Sequence, residues 1–276
     1  MRREEEVVQE ALRQVEAHRR RRRGEEAFRW CVLWWGGVLL AFFLAPWPLA
    51  DKVWAAVHGL CAQTPGHMLR FGEQVLPLCA RDSGIYLGVV LGAAFFLARG
   101  RWLAAGRPSR PFWALLAGVL TFFAVDALNS LADDWFGRRL LYEPDNHLRL
   151  ASGLALGLVL AVLLLWAVHL SFRGGQRERR IVAGWPDLAG LLLLGGLGGL
   201  ALGSGWPPLY IPLAALSVGG LVAALVVLNA LLLLTVRPGS RVLEDLWEAG
   251  RPLFWAGLLA VAEMAFLSWL RYRLGG

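Results

Sequence analysis

The sequence predicts an all-α, polytopic transmembrane helical bundle of about seven spans. Three observations predict it. Hydrophobic residues fill 57% of the 276 positions and charged residues only 18%, where a soluble domain carries nearer about 25% charge. The apolar residues gather in blocks of about twenty, the length that crosses a hydrocarbon core of roughly 30 Å. The net charge of +7 is concentrated in arginine-rich segments between those blocks. That is the pattern of the positive-inside rule, and no recognition fold accompanies it to suggest nucleic acid.

Residues 1–27 form a basic segment read as cytoplasmic. Val7, Val8, Ala11, Leu12 and Val15 recur at helical spacing and predict a short amphipathic helix. Arg19 to Arg23 follow without a break, a topology anchor that also suits anionic lipid headgroups. The apolar run from Phe28 is too long for a signal-peptide core and lacks a small-x-small cleavage site, so it reads as a retained span.

Spans are expected at about 29–49, 83–99, 111–131, 148–172, 186–204, 208–236 and 252–270, with six or eight as the alternatives to seven. If they alternate, the amino terminus shares one side with three arginine loops. These hold Arg99, Arg101, Arg107 and Arg110; Arg173, Arg177, Arg179 and Arg180; and Arg237, Arg241 and Arg251. The rule makes that side cytoplasmic. The carboxyl-terminal "RYRLGG" then lies outside, against the rule, unless a re-entrant segment intervenes; residues 51–75 hold an amphipathic candidate. The fifth span, "LLLLGGLGGLALGSG", reads as close backbone packing between helices. A phosphate cradle would need a strand before it and a helix after it. Residues 28–172 form a membrane core, and 173–276 add further helices.

Polar residues collect at the opposite, extracytoplasmic edge. The loop before the second span carries His58, Cys61, Gln63, His67, Arg70, Glu73, Cys79, Arg81 and Asp82. The third span ends in "VDALNSLADDW", where Asp126, Asn129 and Asp133 share a helical face. The fourth opens with "PDNHLRLASG", containing Asn146 and Arg149. A carboxylate as deep as Asp126 needs a partner or a wet cavity. The expected ion pair joins Arg149 to Asp126 or Asp133. Local capping accounts for part of the set: Asp145 or Asn146 for the fourth span, Asp82 or Ser83 for the second.

Cys61 and Cys79 have three readings. A disulfide would close a loop of about eighteen residues, worth roughly 3 kcal/mol. Metal binding with His58, His67 or Asp82 is the second, although the spacing lacks the close ligand pairs of a standard zinc site. The third is burial as small hydrophobes, which is also the reading for Cys31. No metal and no cofactor is expected.

Cys61-x-Gln63-x-Pro65, Pro77-x-Cys79-Ala80-Arg81 and Gly84-Ile85-Tyr86-x-Gly88 resemble the prokaryotic membrane family known as domain of unknown function 2085. That family's pattern runs close to C-H-Q-x-P-x-R-S, then P-x-C-A-R-C-x-G-I-Y-x-G. It continues with an Asp and a polar residue in the next span, then N-x-x-R-x-x-x-G. Asp126, Asn129, Asn146, Arg149 and Gly153 fit the later positions. The resemblance covers residues 55–170 or so, at the precision of such boundaries. It implies a prokaryotic plasma-membrane protein and brings no established activity. Ala62 stands where the family has His, and Asp82 where it has a further Cys. Two outer cysteines then remain, which suits a disulfide better than a metal.

Four functions compete. The first is a site for an anionic lipid headgroup or small anion, held by Arg70, Arg81 and Arg149 with Gln63, His67, Asp82, Tyr86, Asp126, Asn129 and Asn146 around them. The second is a secondary transporter using Asn229 and Glu263 near the midplane. The third is a membrane hydrolase or thiol enzyme, for which no G-x-S-x-G motif is present. The fourth is a non-catalytic assembly subunit. Apart from the bilayer, no partner and no oligomeric state follow from the sequence.

Overall fold

A computed structural model describes residues 2–236 and 242–274. Arg237 and Arg241, two of the arginines used to orient the chain, lie outside the described residues. The structure is 75% helical, and among the described residues seven helices are long and apolar enough to cross a membrane.

The first helix, α1 (Arg2–Leu44), is continuous. No break separates the amphipathic segment from the first span. Only Gly24 interrupts the good helix formers there, at a cost of about 1 kcal/mol, and an Arg21–Glu25 pair at 3.2 Å bridges the adjoining turn. Pro46 and Pro48 lie just past its end. Lys52, the chain's single lysine, is buried and caps that end. Its Nζ donates to the carbonyls of Phe42 (2.6 Å), Phe43 (3.1 Å) and Ala45 (3.0 Å).

The amphipathic candidate in 51–75 becomes the short helix α2 (Leu49–Val57). Its nine residues span only about 14 Å, so it adds no crossing and the count stays at seven. After it comes a hairpin that the hydropathy pattern does not reveal, β1 (Met68–Phe71) and β2 (Gln74–Cys79), antiparallel. Gly72, with φ +64°, supplies the turn between them. β2 runs directly into α3 (Ala80–Ala98). Next come β3 (Ala104–Gly106), α4 (Arg110–Phe136), α5 (Asn146–Leu170) and β4 (Gln176–Arg180). The chain ends with α6 (Trp185–Gly203), α7 (Tyr210–Val236) and α8 (Gly250–Arg273).

Contacts between the connections fall into two sets, as an alternating seven-span chain requires. At one end, β3 pairs in parallel with β4, Phe172 bridges to Leu243, and Arg99 and Arg101 both reach Asp187, each at 3.2 Å. At the other, Asn146 donates to the Gly66 carbonyl at 3.0 Å and Gly72 packs on Pro207. The carboxyl-terminal end of α8 is there too. Arg271 donates to the carbonyls of His58, Cys61 and Ala62. The terminal arginine that sits awkwardly with the charge rule is thus engaged in clasping the loop after α2.

α3 and α5 form the centre. Gly84, Gly88, Gly153 and Gly157 lie at the crossing, where a Cβ on Gly153 would fall on the Arg81 carbonyl and one on Gly157 on the Ile85 carbonyl. Small residues four apart on both helices allow this approach of backbone to backbone. The glycine-rich α6 packs differently. Gly190, Gly195 and Gly198 receive the side chains of Phe95, Leu158 and Leu91, so they are sockets and not backbone contacts. Leu193, Leu200 and Ile211 remain exposed and suit a lipid-facing surface.

The crossing makes a direct prediction. Gly157→Ala should destabilise by about 1–3 kcal/mol through overpacking. Gly118→Ala on α4, where an added Cβ meets nothing within 4 Å, should stabilise by about 0.5–1 kcal/mol. Thermal unfolding midpoints in detergent check both, and equal midpoints for the two variants would refute the close crossing.

Candidate functional site

Asp126 on α4 is fully buried at the hairpin end of the bundle. Arg81, in the first turn of α3, donates from Nη2 to its Oδ2 at 2.7 Å. Ser152 on α5 donates to the same oxygen at 2.7 Å, and the Tyr142 hydroxyl to Oδ1 at 2.9 Å. One carboxylate therefore joins three helices and the 137–145 loop. Burial, then the hydrogen bond to Asp126, pushes the Tyr142 phenol above its ordinary pKa, which keeps its donor proton in place. Arg81 Nη2 also donates to Ser130 Oγ at 2.9 Å, and its guanidinium stacks over Phe123. Arg81 Nε is buried with no hydrogen-bond partner among the described residues.

The expected pairing of Arg149 is corrected here. Arg149 does not meet Asp126 or Asp133. Its Nε approaches Ser130 Oγ at 3.4 Å, its Nη1 donates to Asn146 Oδ1 at 3.1 Å, and its Nη2 lies 3.9 Å from Asp134. Arg81, a residue earlier in the chain, takes the deep carboxylate because the α3–α5 crossing places its backbone against Gly153. Asp133 turns toward Arg139, 4.0 Å away. His67 Nε2 sits 3.2 Å from Asp134. Burial and then the Arg149 charge push the His67 pKa below its ordinary value, against the opposing pull of Asp134, so the neutral imidazole is favoured at pH 7. Asn129 fixes the 137–145 loop, accepting from the Leu141 amide and donating to the Tyr142 carbonyl, both at 2.9 Å.

Beside this network lies a thiol cluster. The ligating atoms of Cys61, Cys79 and Asp82 all fall within 4.8 Å of one another. Cys61 and Cys79 approach to 3.5 Å but are not bonded. The expected disulfide is therefore absent from this structure, whose two sulfurs stand as free thiols. The cap of α3 is also not Asp82 or Ser83. Cys79 takes that position, its sulfur accepting from the Asp82 amide at 3.5 Å, while the Cys79 amide donates to the Cys61 sulfur at 3.2 Å. The Cys61 sulfur, burial and the Asp82 charge, in that order, push the Cys79 thiol up. Gln63, at φ +52°, braces the loop that carries Cys61. Its Nε2 donates to the Trp54 carbonyl at 3.1 Å and the Pro77 carbonyl at 3.0 Å, and its Oε1 lies 2.8 Å from His58 Nδ1. Tyr86 packs against the apolar cluster around Cys61.

Other expected residues stand apart. Arg70 is exposed on β1. Asn229 and Glu263 are distant in sequence but do meet, with Nδ2 donating to Oε2 at 2.9 Å, which ties α7 to α8. Ser130, Ser152 and Tyr142 were not anticipated. The two serines were legible, since Ser130 lies one turn from Asp126 and Ser152 one turn from Arg149; Tyr142 carried no such signal. Buried Asp187, which gathers Arg99, Arg101 and the Ala183 amide at the opposite end, was likewise missed.

Asp126→Ala should cost about 3–5 kcal/mol, because it leaves the Arg81 charge unpaired in a buried site. Asp133→Ala removes only a long, partly exposed contact and should stay within about 0.5 kcal/mol. Chemical or thermal unfolding in detergent measures both, and a mild Asp126→Ala would contradict the assigned network.

No curated protein and no solved structure matches the chain. Residues 61–163 match the model of a family described as predicted membrane protein (DUF2085), so the hairpin, the thiol cluster and the Arg81–Asp126–Arg149 network all fall inside the segment this family defines.

Proposed function

We propose that this membrane protein binds an anionic group at the hairpin end, a lipid headgroup or a small free anion. The bilayer is the plasma membrane of a prokaryote, the amino terminus is cytoplasmic, and the hairpin end faces outward. The observation that carries the binding reading is Arg81. Its Nη2 is fixed by Asp126 and Ser130, while its Nε is buried without a partner among the described residues. A buried, unsatisfied donor costs about 1–3 kcal/mol, and an anionic oxygen beside it would remove that cost. Arg149 supports the reading, because its Nη2 reaches a carboxylate only at 3.9 Å. Two guanidiniums converging on Ser130 suit a phosphate or carboxylate better than a neutral ligand.

The orientation rests on charge. The end that holds Arg99, Arg101, Arg173 and Arg177 is the one the positive-inside rule keeps in the cytoplasm. An amino-terminal epitope tag should be shielded in intact spheroplasts and reached after permeabilisation. A tag already accessible in intact spheroplasts would invert the assignment.

The binding reading predicts ligand-dependent stability. A ligand at about 100 times its Kd stabilises the folded state by about 2.7 kcal/mol. In detergent, phosphatidylglycerol should raise the unfolding midpoint where phosphatidylcholine does not. If inorganic phosphate raises it equally, the ligand is a free anion; if only the lipid does, it is a headgroup. Arg81→Lys, which keeps a charge beside Asp126 but removes the guanidinium Nε, should abolish the shift. Equal midpoints with all three additives sink the proposal.

A further inference from the structure

We infer that Cys61, Cys79 and Asp82 form a binding site for a single borderline-soft divalent cation of the zinc class. The inference stands on the thiol cluster and is independent of the anion reading. Three ligating atoms of three residues lie within 4.8 Å of one another, close enough for one ion to reach all of them after small side-chain adjustments. Two thiolates and one carboxylate select such a cation over calcium or magnesium, which prefer all-oxygen shells. Three protein ligands leave a fourth tetrahedral position for water or a small anion, as in open zinc sites.

The cluster is built and not merely crowded. Cys61 enters from the loop after α2, whereas Cys79 and Asp82 enter from the junction of β2 with α3. Gln63 holds those two arms together by bonding the Trp54 and Pro77 carbonyls. Arg271 fixes the loop from the far end of the chain through the His58, Cys61 and Ala62 carbonyls. Each sulfur already accepts a backbone amide, Cys61 from Cys79 and Cys79 from Asp82. Amide–sulfur bonds of this kind orient metal-bound thiolates and spread their charge. The cluster also sits at the positive end of the α3 dipole, which favours anionic ligands. Cys61 is buried while Cys79 and Asp82 are half-exposed, so an ion has a route in from the Cys79–Asp82 side. On binding, each thiol forms a sulfur–metal bond and releases its proton to solvent, and no electron changes hands.

The test uses the full chain, reduced, stripped of metal and held in detergent, with Co2+ and Zn2+ alone as probes. Co2+ should bind at one per chain with a sulfur-to-cobalt charge-transfer absorption, and Zn2+ should displace it. Cys61→Ser and Cys79→Ser should each abolish or strongly reduce the band. Cys31→Ser should leave it unchanged. Asp82→Asn, a half-exposed change that spares both thiols, should keep the band and weaken Co2+ binding at least about tenfold, no less than the loss of an outer-shell partner would. Two results would overturn the site. One is a reduced wild-type protein whose thiols react with a thiol reagent yet give no band. The other is a Cys61–Cys79 disulfide that forms in air despite excess Zn2+.

Discussion

The Arg81–Asp126 contact is the constraint around which the hairpin end is arranged. A carboxylate with no solvent exposure is tolerable only when paired and hydrogen-bonded. Here it accepts from Arg81, Ser152 and Tyr142, which draws α3, α5 and the 137–145 loop onto α4. Apolar packing holds the first half of α4, where Phe112 and Val119 are buried in the core, but has fewer claims on the half that carries Asp126, where Leu128 and Leu131 are exposed. The polar contact thus fixes the end of the helix that apolar packing alone would leave less determined. Buried ion pairs contribute little net stability against a well-packed apolar alternative. A network kept at this cost is more readily understood as setting the register of the helices and the direction of the Arg81 guanidinium.

The close approach of α3 to α5 makes that pairing possible. Gly84 and Gly88 face Gly153 and Gly157 with backbone against backbone. The first turn of α3 is consequently pressed against α5. That same turn carries Arg81 into the polar network and Asp82 toward the thiols. One packing event therefore sets up two neighbouring chemical environments, one of guanidiniums and carboxylates and the other of sulfur. Their separation follows from helix geometry, because consecutive residues on a helix point about 100° apart.

Much of this was legible in the sequence, and the limits have physical causes. Seven spans were readable because a hydrocarbon core imposes a minimum length of apolar chain. The depth of Asp126 and its need for a partner were readable from its position in a span. Which arginine would serve it was not, because Arg81 and Arg149 both lie near the right depth and the choice depends on a crossing set by glycines. The glycine-rich look of α6 drew attention to the wrong helix. In α6 the gaps are filled by side chains, whereas at the real crossing they are filled by backbone. The hairpin escaped notice because β1 and β2 are short and Pro77 stands inside β2. The thiol cluster was doubted on sequence spacing, which measures distance along the chain, and the fold of α2 back toward α3 made that measure irrelevant.

Arg271 has a consequence for how the molecule comes to exist. Its guanidinium closes over a loop more than two hundred residues earlier. A chain emerging from the ribosome and entering the membrane helix by helix exposes that early loop long before the clasp is made. Until α8 is threaded through, Cys61 sits on an unclasped loop, open to oxidants, chaperones and ions in whatever compartment receives it. Biogenesis therefore contains an interval in which the loop carrying Cys61 is unclasped, and delivery of the last helix ends it. A fusion or truncation that delays the final span would lengthen that interval while leaving the rest of the sequence intact.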